Sequence, residues 1–388
     1  MIGDFPVLSS EQRTRYSRHI LLPEFGMKGQ QRLLAARVLV IGAGGLGCPV
    51  AQYLAAAGVG EMTLVDADQV DLTNLQRQIL YRTEDVGRSK VATSAANLRA
   101  MNPDVKVREV AESFGPGNAE QLVAAHDLVI DASDNFATRF LVNDVCVKLA
   151  KPFVHGSVYR FEGQAALFDP RTGPCYRCVF PQPPRPEAVP NCAEGGVLGV
   201  VPGMVGMVQA TEAIKFLAEL GDSHGGRMFI YDALSMRVDS LRIHRDPNCA
   251  ACGASGRIAC QTEVESKASS TEVCTRADAD TSAVQWIGSR DLAASMATDP
   301  SLQMIDVRSP GEFAICSIPD SRNVPLAVLS AHVPQILPTG GVILVCKSGA
   351  RAARAAVVLR AAGVPGARVL RGGILAWIRD VDPGLATY

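Results

Sequence analysis

Residues 37–47 read RVLVIGAGGLG, an apolar run that passes directly into a glycine-rich turn. Runs of Val, Ile and Leu are typical of strands buried on both faces, and Gly42, Gly44 and Gly47 fit the pattern G-x-G-x-x-G. Glycines at this spacing let backbone amides and a helix N-terminus approach a phosphate group. The stretch therefore predicts a strand, a phosphate-binding turn and a helix.

The residues that follow repeat this unit. Apolar runs at 62–66, 105–110, 127–131 and 152–158 alternate with helical periodicity at 89–101, 118–125 and 135–149. Such alternation indicates an α/β fold with a mainly parallel, doubly wound sheet of the Rossmann type. Two later stretches, 163–168 and 227–243, predict an antiparallel part.

Composition limits the class of protein. The 388 residues predict two or three domains, and 47% hydrophobic residues support sizeable cores. A net charge of −1 argues against a basic surface for nucleic acid. Residues 38–60 carry no charge, but their glycines favour strand, turn and helix over a membrane span. Since the N-terminus has no signal-peptide pattern, we expect a cytoplasmic protein that binds neither membranes nor nucleic acid.

A change of composition divides the chain. Residues 253–283 are rich in Ser, Thr, Ala and acidic residues and contain no aromatic residue, which is typical of a flexible linker. We therefore predict a nucleotide-binding domain at 1–252, a linker at 253–283 and a second, small α/β domain at 284–388.

Charged side chains follow the strands of the first domain. Asp66 ends the second strand, where a carboxylate can accept a ribose hydroxyl. Arg77 and Lys90 come soon after it, and Asp134 follows a later strand. Two cations beside the phosphates favour nucleotidyl transfer from ATP. The alternative, an NAD-dependent oxidoreductase with a second domain appended, leaves these cations unexplained.

Four motifs together resemble one family. GAGGLG at 42–47, VDADQVDLTNLQRQ at 65–78, Lys90 and SDN at 133–135 are similar to the adenylation domain of the ubiquitin-activating-enzyme superfamily, in its MoeB/ThiF branch. The resemblance covers about residues 12–252. It implies an enzyme that uses ATP and Mg²⁺ to adenylate the C-terminal Gly-Gly of a ubiquitin-like sulfur carrier protein.

The same resemblance implies roles for individual residues. Asp134 would hold Mg²⁺, and Arg18 would reach the partner subunit's site in a homodimer. The nucleotide-binding set that it implies comprises Gly45, Asp66, Thr73, Asn74, Leu75, Gln76, Arg77, Lys90, Asp134 and Asn135.

Two C-x-x-C pairs, CYRC at 175–178 and CAAC at 249–252, predict a metal site. Four thiolates make a closed tetrahedral site of the structural zinc type, and two redox dithiols are the alternative. MoeB-like proteins carry such pairs at corresponding places, so the resemblance favours zinc. We expect Zn²⁺ in a structural role, with Cys175, Cys178, Cys249 and Cys252 as ligands.

Cys192 lies in the proline-rich segment PQPPRPEAVPNCAEGGVLG. NCAEGGVLG at 191–199 resembles the crossover loop of the family, whose cysteine can take the activated carrier as a thioester or acyl disulfide. An inert thiol is the other interpretation.

Cys346 follows a predicted strand and opens CKSGAR at 346–351, ahead of a predicted helix. A thiol beneath backbone amides at a helix N-terminus ionises readily and can hold an anion. Four residues separate Cys346 from Arg351, one fewer than in cysteine-dependent phosphatases, and this smaller loop favours a persulfide. With IDVRSPGEF at 305–313 and VLRGGILAW at 369–377, the loop resembles rhodanese domains. The resemblance implies that Cys346 carries sulfur, stabilised by Arg351 and the loop amides.

The order of the domains predicts the order of the reactions. The whole chain resembles adenylyltransferase/sulfurtransferases in which a MoeB-like domain precedes a rhodanese domain. The carrier would become an acyl-adenylate, the Cys346 persulfide would attack it, and a thiol would release a thiocarboxylate. Thiosulfate or a cysteine desulfurase would supply the sulfur. A scaffold that binds the carrier without catalysis is a further alternative.

Overall fold

The computed structural model describes residues 6–184, 196–221, 225–254, 284–336, 341–364 and 366–387. The chain divides into two compact units, residues 1–264 and residues 265–388. The predicted linker lies outside the described residues from 255 to 283, so the domain boundaries stay predictions. Among the described residues, no helix combines the length and the apolar character needed to cross a membrane.

The first unit is built on one eight-stranded sheet. Its strands are β1 (Arg37–Ile41), β2 (Glu61–Val65), β3 (Lys106–Val110), β4 (Leu128–Asp131), β5 (Phe153–Tyr159), β6 (Glu162–Phe168), β7 (Arg227–Asp232) and β8 (Arg237–Arg242). They lie in the order β3-β2-β1-β4-β5-β6-β7-β8. Strands β1 to β5 pair in parallel and β6 to β8 continue antiparallel, which confirms the predicted doubly wound architecture.

Helices cover both faces of this sheet. They are α1 (Ser10–Arg15), α2 (Ser17–Ile20), α3 (Gly26–Ala35), α4 (Gly47–Ala57), α5 (Lys90–Met101), α6 (Ala119–Ala124), α7 (Phe136–Lys148), α8 (Tyr176–Val179) and α9 (Val200–Ala218). Because side chains alternate along a strand, Val38 and Val40 of β1 pack in one apolar core with α4, α5 and α9. Leu39 and Ile41 pack in the opposite core with α6 and α7. Burial on both faces accounts for the uninterrupted apolar run, and the uncharged stretch at 38–60 forms a strand, a turn and a helix as predicted.

The second unit is a smaller α/β layer structure. Its strands are β9 (Gln285–Ile287), β10 (Gln303–Asp306), β11 (Arg322–Asn323), β12 (Val342–Val345) and β13 (Arg368–Leu370). Its helices are α10 (Ser289–Thr298), α11 (Pro310–Ile315), α12 (Leu329–His332), α13 (Ala350–Ala361) and α14 (Gly373–Asp380). The sheet is parallel throughout, in the order β11-β10-β12-β13-β9.

Candidate functional site

The glycine-rich turn lies where the strand order of the first sheet reverses, since β1 pairs with β2 on one side and β4 on the other. Gly42 has a φ of 95°, and a β-carbon there would lie 2.7 Å from the carbonyl oxygen of Ala132. A β-carbon on Gly47 would lie 1.9 Å from the carbonyl oxygen of Gly42. Both positions therefore need glycine for the turn to close onto α4. In open α/β sheets, ligands bind at this point of reversal.

Asp66 lies one residue beyond β2 and holds the turn in place. One carboxylate oxygen accepts a hydrogen bond from the backbone N–H of Ala43 at 2.8 Å. The other accepts from the backbone N–H of Asp68, also at 2.8 Å. The half-buried carboxylate thus stands beside the turn, at the position expected of a ribose ligand.

The two predicted phosphate-binding cations lie after β2 and have protein acceptors. Lys90 opens α5 and is buried, and its Nζ lies 2.8 Å from the carboxylate of Asp68, whose side chain is 70% exposed. Arg77 donates to the backbone carbonyl of Thr73 at 2.9 Å. Its side chain packs on the glycine-rich turn: a β-carbon built on Gly45 would be in van der Waals contact with Cγ of Arg77, at 3.4 Å.

A capped turn at Leu72–Asn74 sets the path of the chain before Arg77. Asp71 accepts hydrogen bonds from the backbone N–H and the hydroxyl of Thr73, which hold the pKa of its carboxyl below the usual range. Asn74 accepts in return from the backbone N–H of Asp71 at 3.2 Å. Of the other predicted binding residues in this segment, Leu75 is half-buried and Gln76 is exposed.

Asp134 and Asn135 connect β4 to α7 and are exposed. Asn135 caps α7 by accepting from the backbone N–H of Thr138 at 2.9 Å. Both residues line a cavity of about 500 Å³ bounded by α7, β5, β6 and the start of α8. The aromatic rings of Phe136, Phe140, Tyr176 and Phe180 and the polar side chains of Arg139, Ser157 and Gln164 also line it.

A buried acid–histidine pair supports the turn that carries Asp134. His155 Nδ1 lies 2.8 Å from the carboxylate of Asp131, and both side chains are fully buried. The other oxygen of Asp131 accepts from the hydroxyl of Ser133 at 2.6 Å and from its backbone N–H at 3.2 Å. Ser133 is the residue before Asp134. Sequence reasoning assigned no role to His155, although the pairing of β4 with β5 places it opposite Asp131.

The charge state of this pair follows from its surroundings. Burial alone would raise the pKa of Asp131, but the hydrogen bond from His155, the charge of Arg139 and the hydrogen bond from Ser133 hold it below its usual range. Burial lowers the pKa of His155. The carboxylate is therefore ionised and the imidazole is neutral, with Nδ1–H as the donor.

The four predicted metal ligands converge at one point. The thiol sulfurs of Cys175, Cys178, Cys249 and Cys252 all lie within 4.8 Å of one another. Individual Sγ–Sγ distances are 3.8 Å for Cys175–Cys178, 3.6 Å for Cys175–Cys249 and 3.4 Å for Cys178–Cys252. A tetrahedral ion with bonds of about 2.3 Å places its sulfurs about 3.8 Å apart. The donor set and its spacing therefore fit a zinc ion.

In the second unit, Cys346 follows β12 and lies under the N-terminus of α13. Its sulfur accepts from the backbone N–H of Gly349 at 3.1 Å and of Ala352 at 3.4 Å. The residue is buried. Arg351 forms two hydrogen bonds with the carboxylate of Glu312, each 2.7 Å long. This loop can stabilise a negative sulfur through backbone amides.

Comparison with known proteins identifies the family. The family model described as "ThiF family" matches residues 16–251, the part of the chain that carries the glycine-rich turn and the cysteine cluster. The chain belongs to the ThiF family. The rhodanese-like domain matches residues 289–380, which include the Cys346 loop. Both matches confirm the predicted combination of a ThiF/MoeB-like domain and a C-terminal rhodanese domain.

Relatives of this ThiF family member match it over nearly the whole chain or over about two thirds of it. The probable adenylyltransferase/sulfurtransferase MoeZ of Mycobacterium tuberculosis is 41% identical, over 98% of this chain and 96% of its own length. Adenylyltransferase and sulfurtransferase MOCS3 of Bos taurus is 39% identical over 98% and 89%. The SAMP-activating enzyme E1 of Haloferax volcanii is 51% identical, over 64% of this chain and 92% of its own length.

Among solved structures, E. coli MccB resembles this chain with a TM-score of 0.57 at 24% identity. The likeness covers 63% of this chain and 74% of MccB. At this identity it supports the fold of the ThiF-family part alone.

The roles predicted for Cys192 and Arg18 stay predictions. Cys192 lies outside the described residues. Arg18 lies exposed on α2, and its reach into a partner subunit stays a prediction. Sequence reasoning also missed Glu312, although Ser309 and Glu312 have the S-x-x-E spacing of a capping box. That spacing predicts a helix start but does not reveal the partner Arg351.

Proposed function

We propose that this ThiF-family protein adenylates the C-terminal Gly-Gly of a ubiquitin-like sulfur carrier protein and then converts that carboxylate to a thiocarboxylate. Full-length relatives carry adenylyltransferase and sulfurtransferase together in their names, which favours this function over an NAD-dependent oxidoreductase.

One observation carries the proposal for the first step. Asp134 and Asn135 line the cavity of about 500 Å³. They follow β4, which pairs with β1, so they lie at the same carboxyl ends of the strands as the glycine-rich turn. The cavity volume is in the range of small-ligand sites. The C-terminal Gly-Gly of a carrier has no side chains and is therefore narrow enough to enter such a cavity. A carrier tail in this cavity would bring its carboxylate towards a nucleotide at the turn.

The residues around the turn then have distinct parts in adenylation. Arg77 and Lys90 would neutralise the triphosphate, and Asp66 would hold the ribose. Asp134 would hold Mg²⁺, which supplies further charge neutralisation at the phosphates when bound. The carrier carboxylate attacks the α-phosphorus, the bond to the β-phosphate oxygen breaks, and pyrophosphate leaves. Arg18 from the second subunit of a homodimer would complete the site.

The four-cysteine cluster would have a structural role. With four thiolates around one ion, no ligand position is left for water, so Zn²⁺ would fix the end of the first unit rather than act on the substrate. The pair of Cys175 and Cys178 flanks Tyr176, which lines the cavity. Zinc would therefore also hold one wall of the proposed carrier site.

Sulfur transfer uses Cys346 as a persulfide: its thiolate takes the outer sulfur of thiosulfate, whose S–S bond breaks with release of sulfite, or takes the outer sulfur of a persulfide carried by a cysteine desulfurase. The terminal sulfur attacks the acyl-adenylate, AMP leaves, and the carrier is joined to Cys346 through an acyl disulfide. A thiol then attacks the Cys346 sulfur, releasing the thiocarboxylate and forming a disulfide with Cys346. Cys192 or an external thiol would supply this step, and an external dithiol would reduce the new disulfide.

The test combines two measurements on the full chain with candidate carriers ending in Gly-Gly. ATP–pyrophosphate exchange that depends on the carrier reports adenylation, and mass spectrometry of the carrier reports the exchange of oxygen for sulfur. We expect Cys346→Ala to keep exchange and lose thiocarboxylate, and Asp134→Ala to lose both. Unchanged thiocarboxylate with Asp134→Ala would favour the non-catalytic scaffold, and absent exchange with every carrier would refute adenylation.

A further inference from the structure

The arginine of the sulfur loop occupies an unusual electrostatic position. Arg351 is the second residue of α13, and its backbone lies at the end of the helix where the dipole is positive. A cation there is disfavoured by the dipole, whereas an anion is favoured. Some other group must therefore stabilise Arg351 in this place.

Glu312 is that group. Its two carboxylate oxygens accept one hydrogen bond each from the two terminal nitrogens of Arg351, both at 2.7 Å. This fork-to-fork geometry is the strongest form of an arginine–carboxylate pair. The side chain of Glu312 is 8% exposed and that of Arg351 is 21% exposed, so water screens the pair weakly.

Glu312 is itself rigidly held. Oε2 accepts from the backbone N–H of Ser309 at 3.0 Å and from its hydroxyl at 3.1 Å, while Ser309 caps α11. Burial acts to raise the pKa of Glu312, but Arg351 and Ser309 outweigh it and lower the pKa to about 2. The carboxylate is thus ionised throughout the working pH range.

The segment before α11 is equally fixed. Arg308 and Asp306 form an ion pair in which both side chains are fully buried, and Arg308 also donates to the carbonyl of Cys316 at 2.7 Å. Glu312 is therefore presented to the sulfur loop from a rigid support, which is what a positioning residue requires.

We propose that Glu312 is a positioning and specificity-determining residue of the Cys346 site: it fixes Arg351 and cancels most of its charge. The sulfur of Cys346 is then held mainly by the amides of Gly349 and Ala352. When a carboxylate neutralises the arginine charge, the site binds a small dianion such as thiosulfate less tightly than it would with the arginine charge available. This inference rests on the proposed sulfurtransferase function.

The test uses full-length protein with Glu312→Gln, Arg351→Gln and the double variant. Two readouts apply: the pH midpoint of Cys346 alkylation by iodoacetamide, followed on its peptide by mass spectrometry, and the KM for thiosulfate with cyanide as acceptor. Tryptophan fluorescence during urea unfolding checks the fold, because the two tryptophans, Trp286 and Trp377, both belong to the second unit.

We expect Glu312→Gln to lower the alkylation midpoint by about 0.5–1 pH unit and the KM for thiosulfate by roughly threefold or more, because the charge of Arg351 is no longer cancelled. Arg351→Gln should raise both quantities, since it leaves the Glu312 carboxylate without its charge partner beside the loop that holds Cys346. The double variant should return towards the unmodified protein. A purely structural role predicts lower activity with an unmoved midpoint in all three proteins.

A midpoint for Glu312→Gln equal to or above that of the unmodified protein would overturn the proposal. If Glu312→Gln does not fold, Arg351→Gln and the double variant decide, and equal midpoints in these two would overturn it. If the unmodified protein takes no sulfur from any donor, the proposed function fails. The alkylation midpoints still test Glu312 in that case.

Discussion

Replacing His155 with phenylalanine should destabilise the first unit strongly. The His155 ring lies 4.8 Å from the ring of Tyr176, and phenylalanine can keep this packing while removing the donor to Asp131. The carboxylate of Asp131 then stays buried with Ser133 as its remaining side-chain donor. Leaving a buried, ionised carboxylate without its imidazole donor costs more than the roughly 1–3 kcal/mol of a neutral group, so we expect about 3–5 kcal/mol. For a unit of this size, roughly 2–4 °C per kcal/mol gives a melting temperature lower by about 6–20 °C.

His126→Phe is the matched control. His126 is also a buried histidine of the first unit, but its partners, the carbonyl of Leu122 at 2.6 Å and the hydroxyl of Thr63 at 2.8 Å, carry no charge. Its replacement leaves unpaired neutral groups and should cost about 1–3 kcal/mol. Circular dichroism follows both units, while tryptophan fluorescence follows the second unit and should not change in either variant.

The pH dependence separates the two variants further. Burial lowers the pKa of both histidines, so each unmodified group contributes stability above about pH 6.5 that is lost as pH falls below it. Both replacements remove this contribution. In His155→Phe we expect a raised pKa for Asp131, which has lost its imidazole donor, so that acid neutralises it within the folded protein. In acid, the free energy of unfolding of His155→Phe should therefore approach that of the unmodified protein more closely than the free energy of unfolding of His126→Phe does. Equal losses for the two variants at pH 8 would refute the reasoning.

Three further changes have expected outcomes. Cys178→Ser removes one of four thiolates and should abolish stoichiometric zinc by elemental analysis and lower the melting temperature of the first unit. Arg308→Met leaves Asp306 buried without its partner and should cost about 3–5 kcal/mol in urea unfolding followed by tryptophan fluorescence, with ATP–pyrophosphate exchange unchanged. Lys90→Met should raise the KM for ATP in the exchange assay tenfold or more while the melting temperature moves little, because its partner Asp68 is mostly exposed.

The fold could be predicted from the sequence because its signals are local. RVLVIGAGGLG contains within eleven residues a strand buried on both faces, a turn that needs glycine and the start of a helix. The strands and helices that were predicted for the first unit lie within a few residues of their observed positions for the same reason, whereas α1, α2, α3 and α8 were not predicted. The two C-x-x-C pairs likewise each form locally, and the fold brings them together.

The supporting residues could not be predicted, because their partners are distant in sequence. His155 lies 24 residues from Asp131, and they meet through the register of β4 and β5, which no local pattern specifies. Glu312 lies 39 residues from Arg351, and the capping box around it accounts for α11 alone. Motifs identify residues by type and spacing, whereas charge state depends on the neighbour that the tertiary fold supplies.

The difference between Lys90 and Arg351 shows why that neighbour decides the chemistry. Both were predicted as cations for an anionic ligand, and both have a carboxylate partner. The side chain of Asp68 is 70% exposed, so water can solvate its carboxylate after a triphosphate displaces it from Lys90. The side chain of Glu312 is 8% exposed, and a ligand that took Arg351 from it would leave a buried carboxylate without its charge partner. We therefore expect the proposed adenylation site to exchange a protein acceptor for its ligand, and the proposed sulfur site to keep its ion pair and bind sulfur through backbone amides.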